Sequence, residues 1–210
     1  MSVVIPSILT DEISDLETKA RVLEGVSERL EIDVMDGTLV PERSVSLNDV
    51  KRVGLPFSLN IHLMVKDPAL YLPWCSDLGA FSVAVHTESE ANMESLLSEM
   101  KTRGFERILA VNPETEVDSV SPFEDLIEGI LIMSVVPGAQ GRKFAESSLL
   151  KIREAKERFP NHIVGVDGGV NEENVREIME AGADYMVVGS AIWKSAEPKQ
   201  ALKRLQAMVQ

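Results

Sequence analysis

Leu30-Glu31-Ile32-Asp33-Val34-Met35-Asp36-Gly37 places two carboxylates two residues apart at the end of an apolar run. Side chains at that spacing share one face of a strand, so Glu31 and Asp33 can grip one cation or handle one proton. Two other strand-like segments end in matching chemistry. Phe57-Ser58-Leu59-Asn60-Ile61-His62 closes on His62, and Ile163-Val164-Gly165-Val166-Asp167 closes on Asp167. All three precede a turn signal. Acids and His set repeatedly where strands stop point to a parallel α/β enzyme, whose sites gather at the carboxyl ends of its strands.

Working outward, hydrophobic period gives strand candidates at about 3–6, 29–34, 57–63, 81–86, 106–111, 129–134, 162–167 and 184–188, separated by stretches with helical spacing. Eight such pairs predict a closed (β/α)8 TIM barrel, with residues 1–210 as its single domain; a doubly wound sheet is the alternative. Thr10-Asp11 before Ile13/Leu16/Ala20/Leu23 and Asn171 before Val175/Ile178/Met179 read as helix starts. Gly79, Gly104 and Gly182 read as stops. The second helix, within Ser46–Val53, is short, and the sixth is bounded by Phe159-Pro160.

A formal charge of −13 argues against a nucleic-acid surface, which needs a basic patch to neutralise phosphates. It leaves an anionic small molecule open, because backbone N–H groups bind phosphate locally. No apolar run approaches the roughly 20 residues of a membrane helix. Met1-Ser2-Val3-Val4-Ile5-Pro6 lacks the basic start and cleavage site of a secretory signal. Cys75 is the only cysteine, so no internal disulfide forms, and a reducing cytoplasm is the expected location.

Three late strand–helix junctions are rich in glycine: Pro137-Gly138-Ala139-Gln140-Gly141, Asp167-Gly168-Gly169 and Gly189-Ser190-Ala191. Glycine lets backbone approach a ligand and present successive N–H groups as an anion nest. Each junction alone reads equally as a turn. Falling together after strands six, seven and eight, they favour a phosphate, as loops there often do in barrels.

With these segments in place, the chain resembles the ribulose-phosphate 3-epimerase family over nearly its whole length. The resemblance rests on Pro6-Ser7-Ile8-Leu9, Ile32-Asp33-Val34-Met35-Asp36-Gly37, Val40-Pro41 and Ile61-His62-Leu63-Met64-Val65. It continues through Asn112-Pro113-Glu114-Thr115, Met133-Ser134-Val135-Val136-Pro137-Gly138, Val166-Asp167-Gly168-Gly169-Val170, Ala181-Gly182-Ala183-Asp184 and Gly189-Ser190-Ala191-Ile192. It implies a phosphate-binding barrel that inverts carbon 3 of a ketose phosphate, D-ribulose 5-phosphate first, with one divalent metal cation. Asp33 and Asp167 would be the acid/base pair and would also touch the metal, with Glu31 and His62 as further ligands. Ser7 and His62 would contact the substrate, and Met35, Met64 and Met133 would lie under the reacting carbons. Gly138, Ala139, Gln140, Gly141, Gly168, Gly169, Gly189 and Ser190 would hold the phosphate. A homo-oligomer is also expected, without nucleic-acid or membrane partners.

The chemistry of that set is coherent. Removing a proton α to a ketone leaves an enediolate whose negative oxygen needs a cation. Inversion needs a base on one face and an acid on the other, which two aspartates supply if one starts ionised and the other protonated. Methionines make a polarizable floor that does not compete for the proton.

The chain also departs from the family it resembles. Glu31 stands where the first metal ligand is a His, giving a harder, more anionic set in which Mn²⁺, Fe²⁺ or Mg²⁺ gain relative to Zn²⁺, with Co²⁺ a further candidate. Ala139, Gln140 and Arg142 replace a Phe, a Gly and a Gln in the loop after strand six; Arg142 can offset a lost nest position with charge. Leu39 and Glu42 depart too. Blander readings stand beside these: Glu31 as a salt-bridge partner of Arg29 or Lys51, His86 and Glu88 as support or caps, and His162 as structural. Asp36-Gly37 reads as turn chemistry, and Trp74, Cys75 and Trp193 as packing or interface residues.

Competing functions are a ketohexose-6-phosphate 3-epimerase, a hexulose-phosphate synthase or decarboxylase of the broader barrel group, and a non-catalytic sugar-phosphate binder. The synthase group carries an Asp-x-Lys-x-x-Asp motif on strand three, where this chain reads Asn60-Ile61-His62-Leu63-Met64. Retention of both aspartates argues against the binder.

Overall fold

Strands buried on both faces need no polar alternation, and every strand of this chain is nearly continuous in apolar or functional residues. In the computed structural model, which describes residues 2–138 and 141–210, eight strands close a parallel barrel in sequence order. They are β1 (Val3–Ile8), β2 (Arg29–Met35), β3 (Ser58–Met64), β4 (Ser82–His86), β5 (Glu106–Val111), β6 (Gly129–Met133), β7 (Ile163–Asp167) and β8 (Tyr185–Val188). The doubly wound alternative is excluded, because β1 pairs with both β2 and β8.

Around the barrel lie α1 (Ile13–Leu23), α2 (Leu47–Val53), α3 (Leu72–Asp77), α4 (Met93–Thr102), α5 (Ser148–Arg158), α6 (Val175–Glu180), α7 (Ser190–Trp193) and α8 (Pro198–Met208). Leu16, Ala20 and Leu23 of α1 bury one stripe against the strands. The same alternation gives β2 and β3 two destinations. Leu30, Ile32, Val34, Leu59, Ile61 and Leu63 join the layer between barrel and helices, so the residues between them point inward. Part of the barrel interior is a small apolar cluster that includes Ile5, Ile108, Leu131, Met133 and Val187. The β2–β3 side is polar.

Three local expectations shift. β1 runs past Pro6 to Ile8, because its register passes from β8 at Pro6 to β2 at Ser7, and the missing N–H falls at that handover. The fifth connection is not an α-helix but a run of 3₁₀ turns, Val117–Leu126, interrupted by Pro122. There Val117 and Val120 mimic a helical stripe, while Pro122 removes a donor. The α1 and α6 caps fall at Glu12 and Asn174, downstream of Thr10-Asp11 and Asn171. The α2 reading holds: Ser46 and Asp49 form a capping box, and Gly54 closes the helix in the left-handed region. Among the described residues, no helix is long and apolar enough to cross a membrane.

Candidate metal and acid/base site

Register builds the site. β2 and β3 run with Glu31 opposite Asn60, Asp33 opposite His62 and Met35 opposite Met64, and Asp167 ends β7 beside Met133 of β6. All these strand ends lie at one mouth of the barrel, so Glu31, Asp33, His62 and Asp167 converge. One potential ligand atom from each lies within 4.8 Å of all the others. His62 Nδ1 is 3.3 Å from Asp33 Oδ1, 3.6 Å from Asp167 Oδ2 and 4.0 Å from Glu31 Oε1.

Glu31 Oε1, Asp33 Oδ1 and His62 Nδ1 are buried with no hydrogen-bond partner among the described residues. Buried polar atoms are normally paired, and three orphans facing one point fit a divalent cation that takes oxygen and imidazole ligands. The electrostatics agree. Burial, reinforced by Asp167 and Asp33, pushes the Glu31 carboxyl well above its usual range. Burial raises Asp33 to about 7, and burial together with Asp33 raises Asp167 to about 7. Burial likewise pushes the His62 imidazole down, so it is neutral and able to ligate. Three carboxyls held this close without a cation keep protons that a cation would displace.

The salt-bridge alternative for Glu31 gains little. Lys51 bonds Asp77 at 2.7 Å instead. Arg29 donates from Nε and Nη2 to Asn60 Oδ1, at 3.3 and 3.1 Å, and Asn60, opposite Glu31 in the β2–β3 register, favours the ionised Glu31 carboxyl. Arg29 therefore acts on Glu31 through the Asn60 amide and through space.

Above these groups opens a cavity lined by Ser7, Asp33, Met64, Met133 and Asp167 on one side, and by Gly138, Gly141, Gly168, Gly169, Gly189 and Ser190 on the other. Arg142 is at its edge. Met35 packs with Met64, Val40 and Leu9 in a small buried cluster beside it. Ala139 and Gln140 lie outside the described residues. The glycines at the β7 exit are required by space as well as by φ. At Gly169 (φ +64°), a Cβ would sit 2.3 Å from the Phe144 backbone nitrogen; at Gly168 it would sit 2.5 Å from a Val135 methyl. Ser134 fixes this turn, donating from its N–H to Asp167 O at 2.8 Å and from its hydroxyl to Asp167 O and Gly168 O.

The remaining residues fall as follows. Asp36 accepts from the Thr38 N–H at 2.9 Å and from Tyr71 OH at 2.8 Å, which is turn chemistry. His162 is at the opposite end of the barrel, with Nε2 3.0 Å from Glu124 O. Cys75 is buried, its thiol pushed up to about 12 by burial, whereas Trp74 is exposed. Trp193 donates to Ser7 O at 2.7 Å and so ties α7 to the end of β1. Leu9, Val135, Pro137, Val170 and Val187 complete the cavity wall; their place in it is not legible from sequence because apolar residues at strand ends look the same in a wall as in a core.

A sequence profile described as the ribulose-phosphate 3 epimerase family matches residues 3–193. The chain is 32% identical to a ribulose-phosphate 3-epimerase of Bacillus subtilis (strain 168), across 97% of each chain. It is 34% identical to one from Helicobacter pylori (strain J99), across 97% of this chain and 96% of that one. Among solved structures, it is similar to 3-hexulose-6-phosphate synthase from Salmonella typhimurium, with a TM-score of 0.77, 16% identity, and coverage of 99% and 98% of the two chains. At that identity the likeness is one of fold.

Proposed function

The chain belongs to the ribulose-phosphate 3-epimerase family, and we propose that it inverts carbon 3 of D-ribulose 5-phosphate to give D-xylulose 5-phosphate by two-aspartate proton transfer. The observation that carries the reading is the convergence of Glu31, Asp33, His62 and Asp167 on one point with their buried atoms unpaired.

Asp33 and Asp167 approach that point from β2 and β7. Without a cation, burial and proximity raise both carboxyls to about 7; turnover needs one of the pair ionised and the other protonated. The ionised aspartate takes the proton from carbon 3, and the protonated one delivers its proton to the opposite face, so the configuration inverts. Glu31, Asp33, His62 and Asp167 would hold the cation. When bound, it supplies positive charge beside the oxygen that turns anionic as carbon 3 loses its proton. Three carboxylates and one imidazole favour the harder divalent ions, Mn²⁺, Fe²⁺ and Mg²⁺.

Ser7 hydrogen-bonds the substrate, Met64 and Met133 keep the reacting carbons dry with Met35 packed behind Met64, and the glycine-rich wall takes the phosphate through backbone N–H groups. Arg142 adds charge there. Chelation tests this reading: dialysis against EDTA should abolish turnover of ribulose 5-phosphate, and Mn²⁺ should restore it. Full activity in a protein shown to hold no metal overturns it.

A further inference from the structure

Behind His62, away from the cation point, lies a second buried imidazole that the proton transfer does not use. His62 and His86 are both fully buried, with their Nε2 atoms 2.9 Å apart and their ring planes within 12° of parallel. At that distance one nitrogen carries a hydrogen and the other offers a lone pair. Which is which is settled further out. His86 Nδ1 faces Glu88 Oε2 at 3.2 Å. The other oxygen of Glu88 accepts the Asn112 N–H at 3.0 Å and the Thr115 hydroxyl. An ionised carboxylate only accepts, so His86 Nδ1 carries a hydrogen.

A neutral His86 with its hydrogen on Nδ1 has a bare Nε2, and His62 must then donate from Nε2. That leaves the His62 Nδ1 lone pair, the atom facing Glu31, Asp33 and Asp167, free to ligate. We propose that His86 and Glu88 are positioning residues that set the tautomer of His62, holding its Nδ1 unprotonated and aimed at the cation. The inference rests on His62 being a metal ligand. Burial pushes His86 down, in keeping with a neutral ring. Against the burial that would raise it, hydrogen bonds from His86, Thr115 and the Asn112 backbone hold the Glu88 carboxyl down at about 2.

The relay is itself anchored. Lys151 donates to Asn112 O at 2.8 Å, to Pro113 O at 3.0 Å and to Thr115 O, and so fixes the loop that supplies both donors to Glu88. An outer-sphere partner of a ligating imidazole is usually a carboxylate or carbonyl. Here the carboxylate is one ring further away.

Glu88→Gln gives a specific reversal. The Gln oxygen stays with the Asn112 N–H and the Thr115 hydroxyl, so its amide N–H₂ faces His86 Nδ1. That nitrogen becomes the acceptor, His86 then donates from Nε2, and the His62 hydrogen moves to Nδ1.

The test is tautomer-sensitive ¹H–¹⁵N NMR on histidine-labelled, metal-free protein, with Mn²⁺ affinity measured alongside by calorimetry. Only three histidines need assignment. In the wild type the expected forms are Nε2–H for His62 and Nδ1–H for His86, and in Glu88→Gln both reverse. Mn²⁺ affinity should fall about 10–100-fold in His86→Leu and recover largely in His86→Gln, whose amide oxygen accepts from His62. A wild-type His62 protonated on Nδ1, or a folded His86→Leu that binds Mn²⁺ like the wild type, overturns the proposal. A wild type with the expected tautomers but no affinity for any divalent ion overturns the metal reading instead, so the two failures are separable.

Discussion

Glu31→Gln removes one charge from the carboxylate cluster while keeping its shape and its contact with Asn60. At pH 8 the metal-free protein must keep a proton on Glu31 or leave it charged beside Asp33 and Asp167. Keeping a proton on a group whose ordinary value is 4.5 costs about 5 kcal/mol at that pH. Ionising it beside a carboxylate within 4.8 Å costs at least about 3 kcal/mol per neighbour at an effective dielectric near 20. Gln incurs neither cost and forgoes only the attraction of Arg29. The metal-free variant should therefore be more stable than metal-free wild type by about 2–4 kcal/mol at pH 8, a midpoint rise of roughly 5–15 °C. The sign with pH follows from the raised carboxyl: the penalty is absent below its ordinary value and grows as pH rises, so the gap closes towards pH 5. Added Mn²⁺ should reverse the ranking, since wild type gains binding free energy that the variant largely lacks. Thermal melts with EDTA and with Mn²⁺, at pH 5 and pH 8, check all of this. A variant less stable than wild type without metal at pH 8, yet equally stabilised by Mn²⁺, rules out Glu31 as a charge-strained cation ligand.

Asp33→Asn and Asp167→Asn should each lower kcat by several orders of magnitude in folded, metal-binding protein; near-normal epimerisation by either removes it from the acid/base pair. Gly169→Ala forces a Cβ within 2.3 Å of the Phe144 nitrogen, so KM for the phosphorylated ketose should rise with a smaller change in kcat. An unchanged KM places the phosphate elsewhere. Gly165→Ala drives a methyl to within 2.1 Å of the Tyr185 ring inside the barrel. It should cost about 1–3 kcal/mol or more by urea unfolding, and a neutral effect means the ring moves aside freely.

Most of the barrel was legible because each strand is an apolar run closed by turn chemistry, and the acids and His sit at those closures. The convergence of Asp33 and His62 followed from the strand ends alone, since parallel neighbours in a barrel bring their carboxyl ends to one mouth. What failed did so for local reasons. Pro6 reads as a stop, although a strand changing neighbours tolerates it, and the three-residue spacing of Val117 and Val120 fits a 3₁₀ turn as well as an α-helix. The polar base of the site was half visible: Arg29 can be named as a partner for Glu31 from its position, but nothing in Asn60 signals that its amide takes the guanidinium instead. His86-Thr87-Glu88 was visible only as a strand-end pair, because a hydrogen-bond direction depends on partners from β3 and from the loop after β5.

The proposed epimerisation stands on proton exchange at carbon 3 between two aspartates on opposite faces of the substrate. It is tested most directly by running Mn²⁺-loaded protein with ribulose 5-phosphate in D₂O and locating the deuterium by NMR. Xylulose 5-phosphate should carry solvent deuterium at carbon 3 from the first turnovers, ahead of any label in recovered substrate, because the group that delivers the proton is not the one that removed it. Inverted product that retains its original hydrogen at carbon 3 would contradict it.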